Sequence, residues 1–233
     1  MRVLTSILLF GTMLLATDVQ AQLLDTKAKQ AFMIDASTGT VLFEKNADEP
    51  VPPASLAKLM TMEVVFQALK SGRRAGSETF PVSENAWRTG GAPSGTSTMF
   101  AALKSQVPII DLVRGAIVQS ANDACIILAE GFAESEQAFS EHMNERAKAI
   151  GLNGSVFKNS NGLPAEGQLV TMRDLVKLGS HIWREYPELY QIYSEPEFTW
   201  NKITLRNRNP LLGLDNGVDG MSTGFTEESG YAI

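Results

Sequence analysis

At residues 53–60 the chain reads Pro53-Ala54-Ser55-Leu56-Ala57-Lys58-Leu59-Met60. Apolar residues continue at helical spacing through Val64 and Ala68, which predicts a helix from Ser55 to about Leu69. A proline just ahead of such a segment suits the first helical turn. Ser55 and Lys58 are three residues apart, so on a helix their side chains share a face and can meet. A lysine whose pKa is lowered by burial can take the proton of a serine hydroxyl, which makes Ser55 a candidate nucleophile and Lys58 its base.

This spacing is not decisive by itself, because Ser155-Val156-Phe157-Lys158 repeats it. The second copy lies between Gly154 and the run Asn159-Ser160-Asn161-Gly162, and residues of these types favour turns over the start of a helix. The sequence around residue 155 therefore predicts a loop. Other motifs must decide between a catalytic and a structural role for Ser55.

The composition is that of a globular protein with a sizeable core, since 44% of the 233 residues are hydrophobic and 20% are charged. The net charge is −6 and the isoelectric point is near 5.1. A chain without a basic surplus cannot neutralise many phosphates, so nucleic acid is not expected as a partner.

The first residues have the pattern of a secretory signal. Arg2 is followed by an apolar run over residues 3–16 and by the small-residue pattern Val19-Gln20-Ala21. The alternative is a membrane anchor, but the run is too short to span a bilayer comfortably. We therefore expect residues 1–21 to be a signal peptide cut after Ala21, with the mature protein outside the cytoplasm, in the periplasm or cell envelope.

Cysteine and histidine are scarce. Cys125 is the sole cysteine, so a disulfide within the chain and a cysteine metal cluster are both excluded. His142 and His181 lie on predicted helices without a repeated ligand spacing. The sequence therefore predicts no metal site and no cofactor, and Cys125 is interpreted as a small core residue.

The order of predicted elements indicates an α+β fold. Residues 30–44 form a predicted β-hairpin, and Thr171-Met172-Arg173-Asp174 has the pattern of a capping box. Further helices are predicted at about 109–119, 124–132, 135–150 and 171–183, and further strands near 198–200, 203–205, 222–225 and 230–233. Strands at both ends around a helical block predict one antiparallel sheet joined from the terminal strands.

Three short motifs occur in a fixed order: Ser55-x-x-Lys58, Ser120-Ala121-Asn122 and Ser222-Thr223-Gly224. The order corresponds to the S-x-x-K, S-D-N and K-T-G motifs of class A β-lactamases and penicillin-binding proteins. With its flanking residues 52–61, 119–125 and 217–221, the chain resembles D-alanyl-D-alanine carboxypeptidases, which are low-molecular-mass penicillin-binding proteins and serine peptidases. The resemblance extends from about residue 31 to residue 233.

Similar triplets elsewhere do not fit this trio. Ser83-Glu84-Asn85 and Arg88-Thr89-Gly90 lack the flanking residues of the family, and Ser37-Thr38-Gly39 precedes the nucleophile in the predicted hairpin turn. Only Ser55, Ser120 and Ser222 have both the order and the surroundings.

The resemblance implies a β-lactamase/transpeptidase-like fold, with an antiparallel sheet flanked by helices and an inserted all-helical subdomain. It also implies three catalytic residues. Ser55 would attack the terminal D-Ala-D-Ala bond, Lys58 would accept its proton, and Ser120 would relay a proton to the leaving amine. Asn122 would orient Lys58 and the substrate amide, although a helix cap is the alternative for this residue. The backbone N–H groups of Ser55 and Phe225 would form the oxyanion hole.

The same resemblance implies the ligands. The expected substrate is the pentapeptide of peptidoglycan, bound by Asn122, Ser222, Thr223, Gly224 and Phe225, and β-lactams should acylate Ser55.

Two departures from the family pattern argue against full activity. Ser222 replaces the lysine of the third motif, which removes a cation from the carboxylate-binding side and predicts acylation slower by about 10²-fold. The family's C-terminal strands and helix, and a membrane anchor, are not present in the chain, so we expect residues 22–233 to be an incomplete catalytic domain.

Two alternative functions stay open at this stage. A class A-like β-lactamase would need a Glu-x-x-Leu-Asn element. Glu166-Gly167-Gln168-Leu169 begins that element, but Val170 takes the place of the asparagine. A non-catalytic peptidoglycan-binding protein is the other alternative, and it is suggested by Ser222.

Overall fold

The computed structural model describes residues 26–233 of the chain, so the predicted signal peptide lies outside the described residues. The description begins with a β-hairpin of β1 (Ala31–Ile34) and β2 (Val41–Lys45), which pair antiparallel. Asp35 organises the connecting turn by accepting hydrogen bonds from the backbone N–H groups of Ser37 and Thr38, both at 2.9 Å. The hairpin predicted from the sequence is confirmed.

Six α-helices lie within the described residues. They are α1 (Lys58–Lys70), α2 (Ile109–Val118), α3 (Asn122–Ala133), α4 (Glu136–Ala149), α5 (Met172–Glu185) and the single turn α6 (Pro187–Tyr190). Ser135 and Thr171 cap α4 and α5, because their side chains accept from Ala138 N and Asp174 N. The capping box predicted at Thr171 is therefore the start of α5.

The remaining strands are short. They are β3 (Thr79–Pro81), β4 (Gln106–Pro108), β5 (Glu197–Trp200), β6 (Ile203–Arg206), β7 (Gly224–Thr226) and β8 (Gly230–Ala232). Each strand pairs antiparallel with its sequence neighbour, giving four two-stranded sheets within residues 26–233. The prediction that the terminal strands join in one sheet is wrong for this part of the chain. β7 packs against the turn before α1, whereas β1 packs against α5, so the two terminal hairpins have different neighbours.

The hydrophobic core surrounds α1, which contacts α2, α3, α4 and α5. Large side chains from several elements are fully buried there, among them Met60, Phe66, Phe139, Phe157 and Tyr193. Most residues of α1 are buried on every side, which is typical of a helix at the centre of a domain and not of a surface helix. Between residues 26 and 233, no helix combines the length and the apolar character needed to cross a membrane.

A buried charge ties α1 to its neighbours. Glu63 is fully buried, and its Oε1 accepts from Arg146 Nε on α4 at 2.7 Å and from the hydroxyl of Tyr186, next to α5, at 2.9 Å. A buried carboxylate is tolerated only when it is paired in this way. The cluster fixes the packing of the helix that begins at Lys58.

Candidate active site

Ser55 and Lys58 are in direct contact at the start of α1. Residues Ala54–Ala57 form a 3₁₀ turn, and α1 begins at Lys58, three residues later than the sequence predicts for the helix. In a 3₁₀ turn the side chains of residues i and i+3 lie almost one above the other. Lys58 Nζ donates a hydrogen bond to Ser55 Oγ over 2.9 Å. The predicted contact between Ser55 and Lys58 is therefore present, on a tighter turn than expected.

Lys58 is buried, with only 3% of its surface exposed. This burial lowers the pKa of its ammonium from the usual 10.5 to about 8, because a charged group loses its hydration there. Lys58 Nζ also donates to the backbone carbonyl of Asn161 over 2.6 Å. A neutral lysine amine keeps two N–H donors and one lone pair, so it can hold the Asn161 carbonyl while its lone pair faces Ser55.

The Asn161 carbonyl is held in place by a compact loop. Asn159 Oδ1 accepts from Gly162 N at 2.8 Å, and Asn161 Oδ1 accepts from Leu163 N at 2.9 Å. Gly162 has φ +84°, and a Cβ added there would lie 1.8 Å from Ala54 O. Only glycine allows this close approach of the loop to the turn that carries the nucleophile. The sequence indicated turn-forming residues here but gave no sign of contact with Lys58, since the contact is made by a backbone carbonyl.

The second copy of the serine–lysine spacing has a structural role. Ser155 Oγ donates to Asp174 Oδ2 over 2.8 Å, and Gly154 N donates to the same oxygen over 2.8 Å. These bonds fasten the loop to the first turn of α5. The loop predicted for this copy is confirmed.

Ser120 lies in the three-residue break between α2 and α3, and it is partly buried. Its φ of +58° is unusual for a residue with a side chain, and Ala54, directly before Ser55, has φ +46°. Left-handed backbone at residues other than glycine is commonly concentrated at functional sites. Ser120 belongs to the second motif and Ala54 directly precedes the first. Both thus have a strained backbone conformation.

Helix α3 brings its first turns towards the buried lysine. Cys125 is fully buried and lies near Lys58. Burial raises the pKa of the Cys125 thiol to about 12, so the thiol stays protonated at neutral pH. Cys125 is therefore an inert core residue, as the sequence predicts.

Asn122 is the first residue of α3, two residues earlier than the predicted helix start, and it is not the cap, which is Ala121. Its side chain donates to Thr96 Oγ1 over 3.0 Å, and its backbone N donates to Ser97 O over 2.7 Å. Within the described residues, Lys58 Nζ hydrogen-bonds to Ser55 and Asn161, and the orienting role expected for Asn122 stays a prediction. The residue is positioned by the loop that contains Thr96 and Ser97.

Asp123 fixes the same loop. Its carboxylate accepts from Thr98 Oγ1 at 2.7 Å, from Met99 N at 3.0 Å and from Ala101 N at 3.1 Å. Burial raises the pKa of Asp123, and the hydrogen bonds from Thr98, Met99 and Ala101 oppose that increase. Asp123 therefore holds residues 98–101 against the first turn of α3, next to Asn122.

Gly224, the last residue of the third motif, begins β7, which packs against the turn that carries Ser55. A Cβ placed on Gly224 would lie 3.2 Å from Ser55 N, so the strand runs against the backbone of the Ser55 turn. Arg208 links this strand to the second motif. Its N donates to Val118 O at the end of α2 over 3.0 Å, and its O accepts from Thr223 Oγ1 at 3.4 Å. The segments of all three motifs are thus connected, with Ser222 partly buried and Phe225 exposed.

Among residues 26–233 no group of three or more histidine, cysteine or acidic side chains is arranged to hold a metal ion. The chemistry that the site itself offers is a serine hydroxyl, a buried amine with a lowered pKa and a strand edge. This combination suits nucleophilic attack on a carbonyl group.

Comparison with known proteins identifies the family. The family model described as D-alanyl-D-alanine carboxypeptidase matches residues 16–233 of the chain. The chain belongs to the D-alanyl-D-alanine carboxypeptidase family. The resemblance inferred from the three motifs is therefore confirmed.

Relatives and solved structures of this family align with most of the chain. D-alanyl-D-alanine carboxypeptidase DacC of Escherichia coli is 43% identical over 227 residues, which are 97% of this chain and 57% of the relative. The crystal structure of penicillin binding protein 5 from Haemophilus influenzae superposes with a TM-score of 0.83 at 40% identity, over 88% of this chain and 59% of that chain. Penicillin-Binding Protein D2 from Listeria monocytogenes, solved in an ampicillin-bound form, gives a TM-score of 0.78 at 30% identity, over 89% and 83% of the two chains.

These comparisons confirm the predicted α+β, transpeptidase-like fold of the carboxypeptidase family. The chain spans little more than half the length of the DacC relative that it matches.

Proposed function

We propose that the protein is a serine-type D-Ala-D-Ala carboxypeptidase that removes the terminal D-alanine from peptidoglycan stem peptides. The observation that carries this proposal is the 2.9 Å contact between Lys58 Nζ and Ser55 Oγ, in which burial lowers the lysine pKa to about 8. Family membership supplies the reaction class, and the contact supplies an activated nucleophile for it.

In the first step Ser55 Oγ attacks the carbonyl carbon of the terminal peptide bond. Its proton passes to neutral Lys58 Nζ, and the negative charge moves to the carbonyl oxygen. The N–H groups of Ser55 and Phe225 are proposed to stabilise that oxygen, which is consistent with the close packing of Gly224 on Ser55 N. The contact with Asn161 O keeps Lys58 in place during the transfer.

In the second step the C–N bond breaks and D-alanine leaves. Its amine needs a proton, which Ser120 relays from the Lys58 side in this proposal. The strained backbone of Ser120 and its position between α2 and α3 support that role. Water then attacks the ester on Ser55 and restores the free enzyme.

The substrate is proposed to lie along β7, with Asn122, Ser222, Thr223, Gly224 and Phe225 contacting it. β-Lactams are proposed to acylate Ser55 in the same position, as inhibitors. The ampicillin-bound form of the Listeria monocytogenes relative supports this part of the proposal.

The proposed location is the periplasm or cell envelope, where peptidoglycan is found. The signal-like pattern at residues 1–21 supports it, and residues 22–233 are then the catalytic domain. Sequencing the amino terminus of the protein recovered from the periplasm tests the location, and we expect the first residue to be Gln22.

Labelled penicillin provides the direct test of the function. We expect covalent labelling of the natural chain, stronger labelling after Ser222→Lys, and none after Ser55→Ala. D-alanine release from a D-Ala-D-Ala peptide should follow the same order. If the Ser222→Lys variant is folded and takes up no label, the proposal is wrong.

Ser222 gives a second candidate its support. A protein without the motif cation could bind muropeptides and release no D-alanine, because the neutral hydroxyl of Ser222 supplies no charge for the substrate carboxylate. D-alanine release by the natural chain that Ser55→Ala abolishes would eliminate this candidate. Slow release of bound penicillin would likewise separate the carboxypeptidase from a β-lactamase, which turns penicillin over rapidly.

A further inference from the structure

The loop segment 157–160 is held in place by side chains from two other parts of the chain. Asn144 Oδ1, on α4, accepts from Phe157 N at 2.9 Å. Gln168 Oε1 accepts from the next two backbone N–H groups, at 3.0 and 3.2 Å. The segment forms neither helix nor strand, so its backbone N–H groups depend on these side chains.

The last residue of the segment, Ser160, is held by a carboxylate. Glu136, in the first turn of α4, accepts with its Oε1 from Ser160 Oγ at 2.7 Å and from Ser160 N at 3.4 Å. Ser160 is fully buried and Glu136 is partly buried. A short bond from a hydroxyl group to a carboxylate is stronger than a bond between neutral groups. Glu136 therefore fastens the end of the segment to α4.

The same end of the segment is joined to the helix that carries the base. Ser160 O accepts from Thr61 Oγ1 at 2.6 Å, and the next carbonyl, Asn161 O, accepts from Lys58 Nζ at 2.6 Å. Lys58 and Thr61 are three residues apart on α1, so they meet the loop side by side. Two consecutive loop carbonyls are thus bound to α1, and Glu136 holds the first of these two residues from α4.

These contacts form a chain from α4 to the base. Glu136 bonds to Ser160, Ser160 precedes Asn161, and Asn161 O fixes Lys58 Nζ at 2.9 Å from Ser55 Oγ. An acidic residue in the first turn of a helix is also favoured by the helix dipole, but that preference does not require a bond to a buried hydroxyl. The bond to Ser160 is what links Glu136 to the site.

We propose that Glu136 is a positioning residue for the base Lys58, and that it acts through Ser160 and the Asn161 carbonyl. The proposal rests on the carboxypeptidase function proposed above, in which Lys58 takes the proton of Ser55. Without the carboxylate, the buried Ser160 hydroxyl loses its acceptor and the loop is free to shift. A misplacement of about 1 Å at a catalytic group slows the chemical step by up to about 10²-fold.

Penicillin acylation tests the proposal, because its rate at increasing penicillin concentration gives a dissociation constant and a limiting rate constant. We expect Glu136→Ala to lower the limiting rate constant by about 10- to 10²-fold and to leave the dissociation constant unchanged. Glu136→Gln should stay within about threefold of the natural chain, since its amide oxygen still accepts from Ser160 at roughly half the strength.

Ser160→Ala removes the same bond from the side of the loop, and it tests the proposal even if Glu136→Ala does not fold. It should reproduce most of the loss in the limiting rate constant. Combining Ser160→Ala with Glu136→Ala should add no further loss, because both changes break one bond. A loss from Glu136→Ala that is equally large in the Ser160→Ala background would overturn the proposed route.

Asn144→Ala is the matched control, because it removes hydrogen bonds between the same helix and the same loop, at Phe157. It should lower the temperature of thermal unfolding and keep the limiting rate constant. An equal fall of the rate constant in this control would overturn the proposal, since it would show that any loosening of the loop slows acylation. So would a Glu136→Gln variant as slow as Glu136→Ala.

Crystal structures of these variants give a measurement that does not depend on catalysis. We expect the 2.6 Å contact between Lys58 Nζ and Asn161 O to be kept in Glu136→Gln and in the control. In Glu136→Ala it should lengthen beyond about 3.5 Å, where a hydrogen bond is lost. An unchanged contact in Glu136→Ala would overturn the proposal. A lengthened contact with no penicillin uptake, even after Ser222→Lys, would instead overturn the carboxypeptidase function and leave the positioning of Lys58 standing.

Discussion

Lys58 Nζ lies 2.9 Å from Ser55 Oγ and 2.6 Å from the carbonyl oxygen of Asn161, so one buried amine joins the nucleophile to a loop on the far side of the turn. Once the amine has lost a proton, it carries one lone pair that can accept the proton of Ser55. Its protonation state therefore determines whether Ser55 can be activated, and this has a measurable consequence.

Acylation should increase with pH, with a midpoint near 8. Lys58 can accept a proton only when it is neutral, and burial lowers its pKa from 10.5 to about 8, so the neutral fraction rises through that pH. The second-order rate of acylation by labelled penicillin, measured from pH 6 to 10, gives the midpoint. Lys58→Met should remove most of the rate along with the pH dependence, and a midpoint near 10.5 in the natural chain would contradict the buried-base interpretation.

Ser222→Lys should accelerate acylation by about 10²-fold, because it restores a cation where the carboxylate of the substrate is proposed to bind. The rate constant of penicillin acylation and the rate of D-alanine release are the measurements. Asn153→Lys adds the same charge at an exposed turn and serves as the control. A gain of the same size in both variants would show that the effect comes from net charge and not from the position of Ser222.

Gly162→Ala should destabilise the protein by about 3 kcal/mol or more, because the added Cβ would lie 1.8 Å from Ala54 O on a backbone with φ +84°. The loop can relieve this clash only by moving away from the Ser55 turn and taking the Asn161 carbonyl with it. Chemical denaturation measures the loss of stability, and penicillin acylation measures the effect on Lys58.

Gly213→Ala is the matched control for that change. Gly213 has a similar φ of +80°, but an added Cβ there meets no atom within 4 Å. It should lose only the cost of a left-handed residue, about 1–2 kcal/mol, and keep its rate of acylation. Equal losses in the two variants would mean that backbone strain, and not the approach to Ala54, is responsible.

Asp123→Asn should lower the free energy of unfolding by about 2–4 kcal/mol, because buried N–H donors of residues 99 and 101 lose a charged acceptor. Acylation should fall too, since the loop from Thr96 to Ala101 positions Asn122. Thermal unfolding and penicillin acylation are the measurements. Asp35→Asn, in an exposed turn with a similar set of hydrogen bonds, should cause a much smaller loss of stability. An unchanged acylation rate in the Asp123 variant would show that the loop is not needed for the site.

Local features of the fold were predictable from the sequence because their physical causes are local. The hairpin depends on the turn around Asp35, and α4 and α5 begin at Ser135 and Thr171, whose side chains cap them within three residues. The prediction that the terminal strands join in one sheet was wrong, because it concerned contacts between residues far apart in the sequence. The pairing of terminal strands depends on which surfaces they meet, and β7 meets the Ser55 turn while β1 meets α5.

The amino-acid sequence by itself determined the family and the absence of the motif lysine at position 222, and it predicted Ser55 as nucleophile and Lys58 as base, because these depend on side-chain identity and short spacing. Only the tertiary structure decided how the base is held and what lies beside it. Asn161 is 103 residues from Lys58 and contributes a backbone carbonyl, which every residue type carries and which leaves no signature in the sequence. The packing of β7 against the turn before α1 likewise exists only because segments far apart in the sequence converge there.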